Sequence, residues 1–397
     1  MTITGDLRAL PTSQIDLFAD EVLADPYPAY RALRDAGPFV ALPQYDIVVV
    51  TRFEEARDAL LDWEAFSSAQ GVGFNDMINE AWVGTIIASD SPYHDKLRAV
   101  LSERLAPRAL RDLRDDIAAR AEEHVERLVA RGAFDAVSDL ARAVPVAIVL
   151  DLLGFPEEGR DQLLHWAENS FNALGPINDR TLAGLPIMGE MFGWLTTTCT
   201  RERMVPGGFA TTIHEAAERG DIPEEAVVPL MAGYSVPALD TTISALGSAI
   251  ELFARNPEQW EAVRADASLV TSAFNEVIRL ESPVQVFARV LTRDHAVADG
   301  AIVSAGTRVG ILYGAANRDE RHYPDADALD VRRANADHLA FGQGVHSCPG
   351  QGLARLEAQS VLASLAQHVR AFELTGEPTR KLSNHTRSLA TLPVRVR

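Results

Sequence analysis

The amino-acid sequence predicts a mainly α-helical protein with a smaller β-rich region, and three observations lead there. Apolar residues recur at spacings of three and four over long stretches, the period of a helix with one buried face. Strand signals are few, and the sheet they imply draws on both ends of the chain. No repeat, low-complexity tract or Gly/Ser-rich linker interrupts the sequence, so residues 1–397 read as a single domain.

Taken in order, "FVALPQYDIVVVTRF" (39–53) reads as a hairpin, with Val48 to Val50 as a β-branched run. Residues 109–132 follow as a helix: Leu110, Leu113, Ile117, Ala121, Val125 and Leu128 form its stripe, and Gly132 is the expected C-cap. A longer helix is expected to start at "DIPEEAVV", with Pro223 in its first turn, and to run to about Asn256-Pro257. Being apolar almost all round, it should cross the core. "HAVADGAIVSAGTRVGILYG" (295–314) reads as short strands with turns at Asp299-Gly300 and Ala305-Gly306, and "LATLPVRV" as one final strand.

Composition narrows the function. A formal charge of −19, from 37 basic and 56 acidic residues, repels nucleic-acid backbones and anionic lipid, so neither is an expected partner. No apolar run approaches the roughly 18–20 residues of a membrane span, and the N-terminus lacks a signal-peptide pattern. A cytoplasmic monomer is the expectation. The 2 cysteines, Cys199 and Cys348, show neither CxxC nor zinc spacing, and Cys199 reads as an ordinary thiol.

Cys348 is different because of its neighbours. Phe341, Gly344, His346, Cys348 and Gly350 lie in a glycine-rich loop that leads into a helix carrying Leu353, Leu356, Val361 and Leu365. Glycines permit positive φ and bring backbone close to a flat ligand. A thiolate at a helix N-terminus is stabilised by unpaired N–H groups and the helix dipole. A nucleophile would want a dedicated base, and a lone buried cysteine would be only structural. A haem iron held by one cysteinate uses every feature of the loop.

The loop resembles that of the cytochromes P450, the soluble bacterial haem-thiolate monooxygenases, and the likeness runs along the chain. It implies haem b between the long helix and the cysteine-loop helix, with Cys348 as iron ligand and Phe341 and Gly350 beside it. His94 and Arg98 in "SPYHDKLR" match the family's propionate-binding pair, and Arg289 and His346 match two further propionate partners. Glu276 and Arg279 in "NEVIRL", with Arg333, match its buried structural triad. Asp240 and Thr241 match the acid–alcohol pair that delivers protons at the oxygen site.

Two positions depart from the pattern. Pro237 stands where the family has a small residue inside the long helix, and a kink is expected there because proline has no N–H for the carbonyl of Gly233. Pro349 directly follows the ligand cysteine and removes one possible N–H donor to sulfur, which should leave more charge on it and lower the reduction potential. The resemblance further implies a substrate pocket, for which Phe74, Trp82, Ile86, Phe171, Val236, Ala238, Val286 and Phe287 are the candidates. The loop from Gln70 to Ala88 holds Asp76 and Glu80 but no Lys or Arg. "FSSAQGVGFND" and "ESPVQVFARVLTRD" are similar to the branch of the family that oxidises small methoxyaromatic compounds, and with no cation in this loop the resemblance implies a small neutral aromatic, methoxyphenol-like, which is hydroxylated or O-demethylated. Oxidation of a terpenoid or natural product, a peroxide-driven reaction and a haem sensor are the alternatives. Electrons are expected from a separate iron–sulfur ferredoxin system, since 397 residues leave no room for a fused reductase.

Overall fold

A computed structural model describes residues 10–297, 300–333 and 337–397. Its axis is the helix Val227–Arg255, 29 residues and so about 43 Å long. Nearly every face is covered: helices Ala143–Leu153, Leu163–Ala173, Phe209–Glu218 and Val270–Glu281 pack against it, as does the helix Gln351–His368. An all-round apolar sequence is stable only in such a position. Pro223 lies just outside rather than in the first turn. It precedes a short 3₁₀ turn, Glu224–Ala226, and the α-helix begins at Val227.

The helix expected over 109–132 spans Pro107–Arg131 and ends at Gly132, whose φ of 76° lets its N–H reach the carbonyl of Leu128. It lies along Gln351–His368 so closely that a Cβ on Gly352 would sit 2.7 Å from Leu110 Cδ1. Glycine at 352 serves this approach.

The main sheet draws on distant parts of the chain. Its strand order is Phe39–Leu42, Ile47–Val50, Arg308–Leu312, Val286–Leu291, Phe66–Ser67. The first two form the expected hairpin, with Phe39 opposite Val50 and Leu42 opposite Ile47. Ile47–Val50 then pairs parallel with Arg308–Leu312. Within 295–314 the strands are His295–Ala296, Ile302–Val303 and Arg308–Leu312, and Gly306 turns at φ 83°. Asp299, expected in the first turn, lies outside the described residues. "LATLPVRV" is divided between two strands. Ser388–Thr391 pairs with Thr379–Lys381, while Pro393–Val396 joins Ala133–Asp135 and Phe372–Leu374. At the break the Leu392 N–H donates to Asp135 Oδ2 at 2.8 Å, and Pro393 has no N–H to offer a ladder.

A buried charge network fastens the segment that leads to the cysteine loop. Arg279 makes a two-point pair with Glu276, Nε to Oε2 at 2.7 Å and Nη2 to Oε1 at 2.8 Å. Arg333 Nε donates to Glu276 Oε1 at 3.0 Å, and Arg279 Nη1 donates to the carbonyls of Asn317 and Ala326. Asn317 carries the link onward: its Oδ1 accepts the Leu339 N–H at 2.7 Å. Glu276 and Arg279 are 2% and 1% exposed, which sets this apart from a solvated surface pair. Glu276→Gln leaves Arg279 buried without its counter-charge and should destabilise the protein by about 3–5 kcal/mol, read by urea unfolding.

Candidate active site

The loop before Gln351–His368 is shaped by two glycines. Gly342 and Gly344 have φ of 67° and 68°, and a Cβ on Gly344 would lie 2.7 Å from the carbonyl oxygen of Leu60. Gly350 has an ordinary φ of −83° and lies beside the sulfur. The Cys348 N–H donates to the Phe341 carbonyl at 2.7 Å and closes the loop. Burial pushes the Cys348 thiol up; N–H groups of Gly350 and Gln351, together with Arg98 and Arg355, pull it back toward the thiolate. The donors begin at Gly350 because Pro349 has none. Phe341 lies under the Arg355 guanidinium, 4.5 Å from its ring centroid.

Above the sulfur is a cavity of about 290 Å³, bounded by the long helix on the other side. Four basic residues meet along its wall: His94, Arg98, Arg289 and His346. The His94 and His346 rings are 4.4 Å apart, and His346 Nε2 is buried with no hydrogen-bond partner. Burial, with Arg289, His94 and Arg98 nearby, holds His346 down at about 2. Arg98 is lowered by its burial, with Cys348 the opposing charge. Among the described residues the carboxylate in contact with this cluster is Asp95, largely exposed, at 3.3 Å from His94 Nδ1. Two guanidinium groups and two imidazoles gathered on one wall, with no buried carboxylate beside them among the described residues, form a site for an anionic ligand.

Opposite the sulfur, Thr241 lines the cavity and its Oγ1 donates to the Pro237 carbonyl at 2.9 Å. Pro237 lies inside the α-helix, which runs from Val227 to Arg255. Asp240 points away from the cavity, into a pocket with Thr386, Arg142 and the Lys381–Glu168 ion pair. Its Oδ2 has no partner, and burial raises its carboxyl above the ordinary range.

Of the substrate candidates, Trp82, Ile86, Phe171, Val236, Ala238 and Phe287 line the cavity. Phe74 and Val286 do not. Val286 and Phe287 are successive residues of one strand and face opposite ways, so Phe287 turns to the cavity and Val286 to the core around Leu17 and Phe18. Phe74 joins the same core, edge-on to Phe18 with centroids 5.4 Å apart. Behind both phenylalanines lies His385, 5.6 Å from Phe74 and 5.7 Å from Phe287.

A buried acid on the lining escaped the sequence reading. Glu357 is fully buried on the cavity wall, its Oε1 is unpartnered, and burial pushes its carboxyl well above the usual range. The signal was present: Glu357 sits between Leu353 and Val361 at spacings of four, an acid on an apolar stripe.

A family model described as Cytochrome P450 matches residues 209–396. Over 393 residues the chain is 40% identical to the cytochrome P450 CYP199A2 of Rhodopseudomonas palustris, covering 98% of this chain and 95% of that one. The chain is a cytochrome P450. Cytochrome P450 130 of Mycobacterium tuberculosis is 32% identical over 382 residues, 93% of this chain and 94% of its own. Among solved structures, ligand-free CYP164A2 of Mycobacterium smegmatis superposes with a TM-score of 0.85 at 27% identity, covering 96% of this P450 and 98% of that chain.

P450 enzymes are monooxygenases that carry haem b, and the residues present fit that group. Cys348 offers a sulfur at a helix N-terminus, and the orphaned His346 Nε2 with its three basic neighbours offers a cradle for two propionates. Coordination deprotonates a thiol outright, overriding the upward push of burial.

Cys348→Ala should therefore abolish the red-shifted Soret band of the ferrous–CO complex; a band that survives would exclude Cys348 as ligand. A second expectation concerns pH. Burial holds His385 at about 3, against roughly 6.5 for an unfolded histidine. The unfolded chain thus binds the extra proton first, and stability falls as pH drops below about 6.5, by on the order of 2 kcal/mol at about pH 5. His385→Phe should flatten that slope in urea titrations across this range.

Proposed function

We propose that this P450 hydroxylates or O-demethylates a small, neutral aromatic molecule, using electrons from a separate iron–sulfur ferredoxin system. One observation carries the reading: among the described residues, the only Arg or Lys side chains on the cavity wall are Arg98 and Arg289, both within the four-residue basic cluster. Where a substrate would lie, the wall is Trp82, Ile86, Phe171, Val236 and Phe287. Arg180 is turned outward, with Nη1 on Asp20 Oδ1 at 2.6 Å and Nε on Asn384 Oδ1 at 3.1 Å. A carboxylate entering this wall would be stripped of water with no cation to receive it.

When bound, haem supplies reductive activation of O2, with the cysteinate ligand favouring O–O cleavage. The remaining tasks belong to side chains. Trp82, Phe171 and Phe287 orient an aromatic ring and keep water away. Thr241 holds a hydroxyl at the oxygen side, anchored on the Pro237 carbonyl. Asp240, kept protonated more readily by its burial, stores a proton one residue behind it, beside the Lys381–Glu168 pair.

Spin-shift titration tests the charge preference. Methoxyphenols should bind at least about tenfold more tightly than methoxybenzoates of the same shape, the discount for burying an unpaired carboxylate. Tighter binding of the benzoates would overturn the neutral-substrate reading.

A further inference from the structure

Gly233, Pro237 and Thr241 are spaced four apart on the long helix, and all three line the cavity. In an α-helix the carbonyl of residue 233 takes its hydrogen from the N–H of residue 237. Proline has no such hydrogen, so this carbonyl lacks its helical donor on the face that borders the cavity. Nearby hydroxyls do not replace it. Thr241 Oγ1 is committed to the Pro237 carbonyl, and Ser235 Oγ donates to Met231 at 3.1 Å, with the Ala232 carbonyl at 3.4 Å. Gly233 itself brings no side chain to this face, where a Cβ would meet only Ile86 Cγ2, at 3.1 Å, itself on the cavity wall.

The polar groups of the wall nearest in sequence to Trp82 and Gly233 have already placed their hydrogens. Thr85 Oγ1 donates to the Trp82 carbonyl and Tyr234 Oη to the Leu101 carbonyl, each at 2.8 Å. The Trp82 indole N–H is directed at Met188 Sδ, 3.4 Å away. To a ligand the two hydroxyls present lone pairs rather than protons, and the indole presents neither. A backbone acceptor at the edge of an apolar cavity is costly to leave unpaired, and a ligand or a water must supply the hydrogen.

We propose that the Gly233 carbonyl, opened by Pro237, is a specificity-determining acceptor for the O–H or N–H of a neutral ligand. This rests on the neutral-aromatic reading and sharpens it: the substrate class is hydrogen-bond donors, phenols ahead of aryl ethers. A carboxylate has no proton to give at neutral pH and meets only lone pairs there. An ether of the same shape fills the apolar space without forming the bond.

The test uses the haem-loaded protein and two probes, para-methoxyphenol and para-dimethoxybenzene, titrated by spin shift. Wild type should prefer the phenol by about five- to tenfold, the worth of one net hydrogen bond. Pro237→Ala restores the N–H while placing a strong helix former in the helix, so the fold is retained. In it the preference should shrink below about twofold, chiefly through weaker phenol binding. An unchanged preference overturns the assignment. A second readout needs no aromatic ligand. Crystals of haem-loaded, substrate-free wild type should show a water within about 3.2 Å of the Gly233 oxygen, absent from Pro237→Ala. If neither aromatic binds while that water is present, the aromatic reading falls and the acceptor stands. A dry carbonyl in wild type removes the acceptor whatever the aromatics do.

Discussion

One buried carboxylate holds the cysteine loop in place. Glu276 receives two hydrogen bonds from Arg279 and one from Arg333, so it joins the helix Val270–Glu281 to the segment that precedes the loop. Asn317 extends the tie to Leu339, the first residue of the turn that ends at Phe341. From there the loop has little freedom: two left-handed glycines set its path, and the Cys348 N–H on the Phe341 carbonyl closes it. The sulfur is positioned by hydrogen bonds that begin some seventy residues away in sequence. Such a network contributes less to stability than its contacts suggest, because desolvating the charges offsets much of their attraction. Its effect is to fix one geometry.

The cavity is electrically divided. Its basic groups gather at one edge, while the acid on its wall, Glu357, and the acid behind it, Asp240, are buried without cationic hydrogen-bond partners among the described residues. Neither arrangement favours the polypeptide alone. Both suit chemistry in which an anionic cofactor edge must be held and protons must be supplied to a dry centre. The apolar wall between them keeps these functions apart, and the proline-opened carbonyl adds a single point of polarity within it.

Much of this was legible in the sequence where a local rule and the tertiary structure agree. The 107–131 helix announced itself through Ile117, Ala121, Val125 and Gly132, since one stripe and one cap determine it. The cysteine loop was legible because few ligands need those residue types at that spacing. Phe74 and Val286 were misplaced for a clear reason: aromatic or β-branched character predicts burial, and only the direction of the strand decides which side. The division of the last strand at Leu392 depends on Asp135, more than 250 positions earlier, and no local pattern could reveal it. Asp240 shared its motif with Thr241 yet turns to the opposite side of the helix, because successive helical residues do not share a face.

The crowding of His94 against His346, with Arg98 and Arg289 alongside, bears on how the protein matures. A chain that has folded without its prosthetic group encloses Arg98 and Arg289 beside two histidines whose protonation burial disfavours, with no anion among them, and its native state is the weaker for it. Anything that binds the folded form alone shifts the balance by mass action, and a dianionic porphyrin edge does so at the point of greatest conflict. The pool of usable enzyme is thus set by porphyrin supply as well as by translation, and chains waiting for cofactor are the ones exposed to proteolysis.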